Sequence, residues 1–213
     1  LPLVRQALAL GMQFDAVVAN PPYMGSGFMD AVLKTFVERQ YPMEKGDLFS
    51  CFIRRGEAAS APTGLVAFVT MQSWMFLSNY ESFRRDFLSA NVISSLLHLG
   101  NGVMGIAFGT CAAVFQRSPI AAYTAKYMRI DASALSDSGS VDLATATEFE
   151  RGMDHFRSSP GLALAYSLDQ HQMALFSHSH PISKKVEARE GLTTADNARF
   201  LRYWWEVNAD QIN

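Results

Sequence analysis

Four consecutive residues, Asn20-Pro21-Pro22-Tyr23, carry the sharpest chemistry in the sequence. An Asn side-chain oxygen beside a rigid backbone carbonyl gives two acceptors aimed at one point. A planar amino group has two hydrogens to give them. Those bonds favour a tetrahedral nitrogen with a localised lone pair, which is a better nucleophile. Two prolines fix two φ angles, restrict the residue before each, and remove two N–H donors that would compete for the carbonyls. Tyr23 can stack on the ring that bears the amino group. Asn20 is neutral, so it orients and polarises and is no strong base. The plain alternative is an Asn-Pro turn with a buried Tyr. At average residue usage, however, the four-residue word arises by chance in about one in a thousand chains of this length.

The loop needs a strand to hold it. Phe14-Asp15-Ala16-Val17-Val18-Ala19 directly before it reads as a short buried parallel strand. In an open α/β sheet, ligands sit beyond the carboxyl ends of the strands, which is where this loop falls. After a Gly/Ser turn, Met29 to Gln40 places Ala31, Val32, Phe36 and Val37 near one helical face. Asp47 can cap a second helix whose apolar positions are Leu48, Phe49, Phe52 and Ile53. Pro62-Thr63-Gly64 is expected to break the chain before a second buried strand, Leu65 to Thr70. Asn79 to Ser89 is an amphipathic helix with Phe83, Phe87 and Leu88 inward, and Val92 to Leu99 a third strand. Asn101 to Gly109 is Gly-rich and irregular. Cys111 to Phe115 is a fourth strand, and Tyr123 to Ile130 a fifth. Ala132 to Ala144 reads as a surface loop and Glu148 to Ser158 as a helix. Strands alternate with helices to about residue 90 and then become hairpin-like. The expected fold is therefore α/β, mostly parallel with an antiparallel edge.

Composition bounds the rest. The chain has 213 residues, 49% of them apolar and 18% charged, and a formal net charge of -2. That excludes a mostly disordered chain and a highly charged nucleic-acid arm. Two Cys, Cys51 and Cys111, make no disulfide framework, so a cytoplasmic location is expected. Apolar runs such as Leu65 to Val69 are too short to span a bilayer, and no membrane partner is expected. The chain begins at Leu1 inside a helical pattern and reads as a piece of a longer protein.

Asn-Pro-Pro-Tyr after a hydrophobic strand resembles the catalytic loop of amino-group methyltransferases that use S-adenosylmethionine. Gly46 to Phe52, Gly64 to Thr70 with Ser73-Trp74, and His98-Leu99-Gly100 followed by Thr110 to Phe115 resemble successive motifs of the gamma-type adenine-specific DNA enzymes. The resemblance covers about residues 14 to 117. Gly191 to Trp205 resembles the opening of the recognition region in large phage-defence methyltransferases of the BREX type and in type IIG restriction-modification enzymes.

The resemblance implies a Rossmann-like methyltransferase sheet whose N-terminal part is missing, double-stranded DNA as partner, and other defence-system proteins as further partners. It divides the chain into a catalytic half over 1–130, a linker and helical insertion over 131–190, and the start of a DNA-recognition region over 191–213. It implies that Asn20 and the carbonyl of Pro21 hold the adenine amino group within a loop stiffened by Pro22, and that Tyr23 stacks on the flipped base. Phe115 matches the position of a second aromatic against the base, with a plain core Phe as the alternative. Leu48 and Phe52 match positions that pack on the cofactor's adenine, with helix core as the alternative.

One departure matters. The family's Gly-rich cofactor turn and the acid that holds the ribose hydroxyls do not precede Phe14. Gly25-Ser26-Gly27 and Gly100-Asn101-Gly102 join no strand to a helix in the right order. Most of the cofactor site is therefore expected upstream, and the chain by itself is expected to be inactive. The alternatives are a catalytically silent DNA- or partner-binding piece, or a methyltransferase acting on protein glutamine or ribosomal RNA. Arg54-Arg55 and Arg84-Arg85 could meet phosphates or form solvated helix faces. His155, His171, His178 and His180 lack Cys or carboxylate partners at ligand spacing, so no metal is expected.

Overall fold

A computed structural model describes residues 2–118, 120, 122–130, 142–178 and 184–187. The chain divides into two compact units, Leu1–His178 and Ser179–Asn213. Of the second, only 184–187 are described, so the recognition segment expected from residue 191 lies outside the described residues.

Strand β1, Phe14–Ala19, is rich in Val and Ala and stops where two prolines can donate nothing to a ladder. Before it, helix α1, Pro2–Gly11, buries none of its residues. Helix α2, Ala31–Gln40, starts at Asp30, whose carboxylate accepts from the Leu33 N–H at 2.8 Å. Helix α3, Leu48–Ala59, starts at Asp47 as its pattern predicts, with the carboxylate accepting from the Phe49 N–H at 3.2 Å. Of the apolar face expected on α2, Val37 is buried, whereas Val32 and Phe36 stay exposed.

Strand β2 runs over Ser60–Met71. The expected break at Pro62-Thr63-Gly64 is a bulge inside it: Phe14 pairs with Ser60 but Ala16 with Leu65, so the intervening residues loop out. Gly64 is required there, because a Cβ would lie 2.9 Å from the Phe14 carbonyl oxygen. Helix α4, Glu81–Ala90, buries Phe83, Phe87 and Leu88 as its period demands. It leads into β3, Asn91–Gly100; then follow β4, Thr110–Arg117, and β5, Thr124–Arg129. Residues 147–152 form β6, not the helix expected from Glu148. Phe149 pairs with Tyr127 across the β5 ladder, and that tertiary pairing overrides local helical preference. A 3-10 turn, Met153–Phe156, and helix α5, Gln170–His178, complete the described elements.

The sheet order is β1-β2-β4-β3-β5-β6. Strands β1, β2, β3 and β5 run one way, and β4 and β6 run the other. The expected antiparallel edge is present at β6. The reversed β4, however, lies inside the sheet between β2 and β3, so the sheet is mixed. Its core is aromatic: Trp74, Phe83, Phe87, Phe115, Tyr127 and Phe156 are fully buried. Each such ring removes 150–250 Å² or so from water, which makes this cluster the main source of stability. At the other end β1 is an edge strand, with Val18 76% exposed.

Candidate active site

The forward strands end on one side of the sheet, and the reversed β4 begins there. The Asn20–Tyr23 loop leaves β1 at that side, the turn from Gln72 leaves β2, and the Gly-rich segment 101–109 re-enters the sheet at Thr110. Asn20 is exposed, Pro21 is buried as the anchor, Pro22 is exposed and Tyr23 is half-buried. The Tyr23 hydroxyl lies 3.0 Å from Asn20 Oδ1 and 3.3 Å from the Val69 carbonyl, with both oxygens placed to accept from it. A carboxamide oxygen has two lone pairs, so Asn20 retains acceptor capacity for an incoming N–H. Burial, and Cys111 after it, push the Tyr23 hydroxyl above its ordinary value of 10.0, so it stays a neutral donor.

The downstream end of the loop is tied to the start of α3. Asp47 Oδ1 accepts from the Met24 N–H at 2.9 Å, and the Leu48 N–H donates to the Met24 carbonyl at 3.0 Å. The same carboxylate therefore caps the helix and holds the loop. Its pKa is raised by burial, which outweighs the bonds from Phe49, Met24 and Leu48. Behind the loop, Phe49 meets the Tyr23 ring edge-on at 6.3 Å between centroids.

The exposed aromatic beside Tyr23 is Phe108, and Phe115 takes the alternative weighed for it, a core Phe. Phe108 is 45% exposed and its ring centroid lies 6.1 Å from that of Tyr23. Phe115 is 1% exposed and packs between Trp74 at 5.6 Å and Phe87 at 4.9 Å. Its register partner is Val66, which lies level with Val17, three positions below Asn20 along the sheet. At about 3.3 Å per residue it sits roughly 10 Å deep in the core. The sequence shows that Phe108 stands just before a strand, and only the pairing shows that this strand returns antiparallel. An aromatic just before a strand that returns antiparallel must lie at the end where the first strand exits.

Leu48 and Phe52 lie one turn apart on α3. Leu48 is half-buried against Met29, Val37 and Cys51, while Phe52 is 39% exposed. An exposed Phe ring suits the face of a purine. Asp47 is committed to backbone N–H groups, and the glycines between β1 and α2, Gly25 and Gly27, come only after the Asn20–Tyr23 loop and form no turn directly off the strand. The residues present thus fit the apolar side of a nucleoside cofactor and do not supply the groups for its charged end.

The arginine pairs take structural parts. Buried Arg84 gives its N–H groups to the carbonyls of Trp74, Leu77 and Gly161. Arg54 pairs with Glu44, Glu57 and Asp86. Arg55 donates to the Leu10 carbonyl and Arg85 pairs with Glu81. No helix among the described residues is long and apolar enough to cross a membrane.

The sequence profile of the family described as Eco57I restriction-modification methylase matches residues 5–104. The chain is similar to the adenine-specific methyltransferase PglX of Lacticaseibacillus casei (strain Zhang), with 31% identity over 223 residues, 99% of this chain and 18% of that protein. It is also similar to the adenine-specific methyltransferase BrxX of Escherichia coli O9:H4 (strain HS), with 32% identity over 219 residues, 100% of this chain and 18% of that one. The chain thus spans about a fifth of the relatives it matches. Among solved structures it is similar to a chain of the DrdV–DNA complex, with a TM-score of 0.55 and 15% identity, over 79% of this chain and 20% of that one. At that identity the likeness concerns the fold.

Proposed function

We propose that this chain, whose residues 5–104 match the Eco57I restriction-modification methylase family, forms the amino-group-binding side of an adenine-specific DNA methyltransferase working in phage defence or restriction-modification. The observation that carries this reading is the braced loop: Asn20 projects at the sheet end, its side-chain Oδ1 accepting from the Tyr23 hydroxyl at 3.0 Å. S-adenosylmethionine, the cofactor of such enzymes, supplies an electrophilic methyl group on a sulfonium when bound. Asn20 Oδ1 and the Pro21 carbonyl accept the two N–H bonds of the adenine amino group and localise its lone pair toward that methyl. Asn20 takes no proton, so the proton shed by the alkylated nitrogen leaves to water.

The target amino group is paired inside duplex DNA and must be turned out to reach this loop. The Tyr23 face and Phe108 receive the extruded base. The exposed ring of Phe52, with Leu48 below it, walls the cofactor's adenine, and its charged end is held by residues other than those described. Double-stranded DNA is the substrate in this reading, and the structural relative that shares the fold is itself a DNA complex.

The test is methyl transfer from labelled S-adenosylmethionine to unmodified host DNA by the full-length protein, with wild type beside Asn20→Ala. Loss of one acceptor for the reacting group lowers kcat by about 100-fold or more. Wild-type turnover by Asn20→Ala would overturn the mechanism.

A further inference from the structure

Phe108 stands at the end of a Gly-rich segment whose first half is anchored by Val103, buried with Leu99 and Ile130, and turned by the Gly102 N–H donating to the Ile106 carbonyl at 3.0 Å. Gly100, Gly102 and Gly105 all adopt positive φ, at 71°, 83° and 70°, where the backbone has freedom that other residues lack. The brace comes from the neighbouring turn. The Gln72 N–H donates to the Gly109 carbonyl at 2.9 Å. The Gln72 carboxamide lies flat against Gly109, so close that a Cβ there would sit 2.2 Å from it. That carboxamide is held in turn: Gln72 Oε1 lies 2.5 Å from His98 Nε2, and His98 Nδ1 lies 2.5 Å from the Tyr166 hydroxyl. With Oε1 accepting, Nε2 carries the proton and Nδ1 accepts from Tyr166.

Both ring nitrogens of His98 are thus committed to the protein. Burial, and Arg129 after it, hold its pKa below the ordinary 6.5, which keeps it neutral. Phe76 covers the ring at 5.8 Å. Tyr166 is itself locked, stacked on Tyr127 at 5.3 Å and edged by Phe149 at 5.5 Å. A rigid chain therefore runs from the far strands β5 and β6, through Tyr166, His98 and Gln72, to the residue next to Phe108.

We propose that His98 is a positioning residue of the base pocket: through Gln72 it holds Gly109, and so fixes the Phe108 ring beside Tyr23. The inference rests on the methyltransferase reading above and adds a residue that touches neither base nor cofactor. Its action passes entirely through Phe108, so removing Phe108 must make His98 irrelevant to turnover.

The experiment is a double-mutant cycle in the full-length protein, read as methyl transfer to unmodified host DNA. His98→Ala and Phe108→Ala are each expected to lower kcat tenfold or more and to leave the KM for S-adenosylmethionine within twofold. The double variant is expected to match Phe108→Ala alone. Tyr166→Phe, which keeps the stacked ring and removes only the hydroxyl, gives a second cycle should His98→Ala fold poorly. It too is expected to lower kcat, and to have no further effect on Phe108→Ala. Losses that multiply in both double variants overturn the proposal, as does wild-type kcat in His98→Ala and Tyr166→Phe. An active wild type with multiplying losses sinks the positioning role alone. A wild type that transfers no methyl to DNA sinks the methyltransferase reading and this inference with it.

Discussion

Tyr23 does two jobs that substitutions can separate. Its hydroxyl braces Asn20 Oδ1 and reaches the Val69 carbonyl, and its ring faces the place where a base would enter. Tyr23→Phe in the full-length protein removes only the hydroxyl, at about 1 kcal/mol, and should slow single-turnover methyl transfer several-fold. Tyr23→Ala also removes the stacking face, worth about 1–3 kcal/mol per base, and should slow it by a further factor of ten or more. Equal rates for the two variants would mean that the ring does not meet the base. The two phenylalanines should behave oppositely. Phe115→Ala opens a cavity against Trp74 and Phe87 and should cost about 3–5 kcal/mol of stability in a denaturant titration. Phe108→Ala, half-exposed, should leave the unfolding midpoint nearly unchanged and lower turnover. The place of Asn20 and Tyr23 at the sheet end was legible because a strand directly precedes them. Phe115 takes the core alternative, which the sequence left open because a motif position says nothing about how deep a strand residue lies.

Helix α3 couples fold to site through its two ends. At its start, Asp47→Ala removes the cap and the bond to Met24 together. It should cost about 1–2 kcal/mol of stability and also loosen the catalytic loop. Asp47→Asn keeps an accepting oxygen and should recover most of both, as measured by thermal melting and methyl transfer side by side. Further along, α3 lies so close to β2 that a Cβ on Gly56 would meet the Phe68 ring at 2.6 Å. Gly56→Ala gains about 1 kcal/mol of helix propensity. It meets overpacking of about 1–3 kcal/mol against a buried ring that has nowhere to turn. The sign should be destabilising, and a raised melting temperature would show that the helix can lift. The caps of α2 and α3 were legible from single residues, whereas the close approach at Gly56 was not, because nothing local marks which helix face meets which strand.

For the whole chain, cofactor affinity and alkaline stability follow from what is buried and what is open. The 213-residue chain alone should bind S-adenosylmethionine weakly in calorimetric titration. Its described residues offer Phe52 and Leu48, and Asp47 beside them is already committed to the backbone N–H groups of Met24 and Phe49. Tight saturable binding would relocate the cofactor site. Burial pushes the Cys111 thiol up from 9.0 to about 11, and the Tyr80 hydroxyl from 10.0 to about 12. Below pH 9 both groups are protonated in the folded and unfolded chain alike, and their contribution is fully present. Above that the unfolded chain releases protons that the folded chain keeps, so stability falls as pH rises toward 11 and 12. The melting midpoint should be level up to about pH 8 and decline beyond it, and Cys111→Ser should make the decline shallower without moving its onset, because burial also pushes the Cys51 thiol from 9.0 to about 12. A midpoint level through pH 11 would mean that neither group is sequestered.

The sequence by itself determined the loop, the strand that carries it, and the capped helices that follow, because each is written in residues adjacent along the chain. Proline chemistry, an N-cap and a period of 3.6 need no partner to be recognised. The tertiary structure alone decided that β4 inserts between β2 and β3, that 147–152 is a strand, and that Arg84 is buried among carbonyls. It also decided that Phe108, not Phe115, stands beside Tyr23. Those outcomes depend on pairings between residues tens of positions apart. A strand's neighbours, and hence which of its side chains reaches the open end of the sheet, are set by packing the whole core and not by any local pattern.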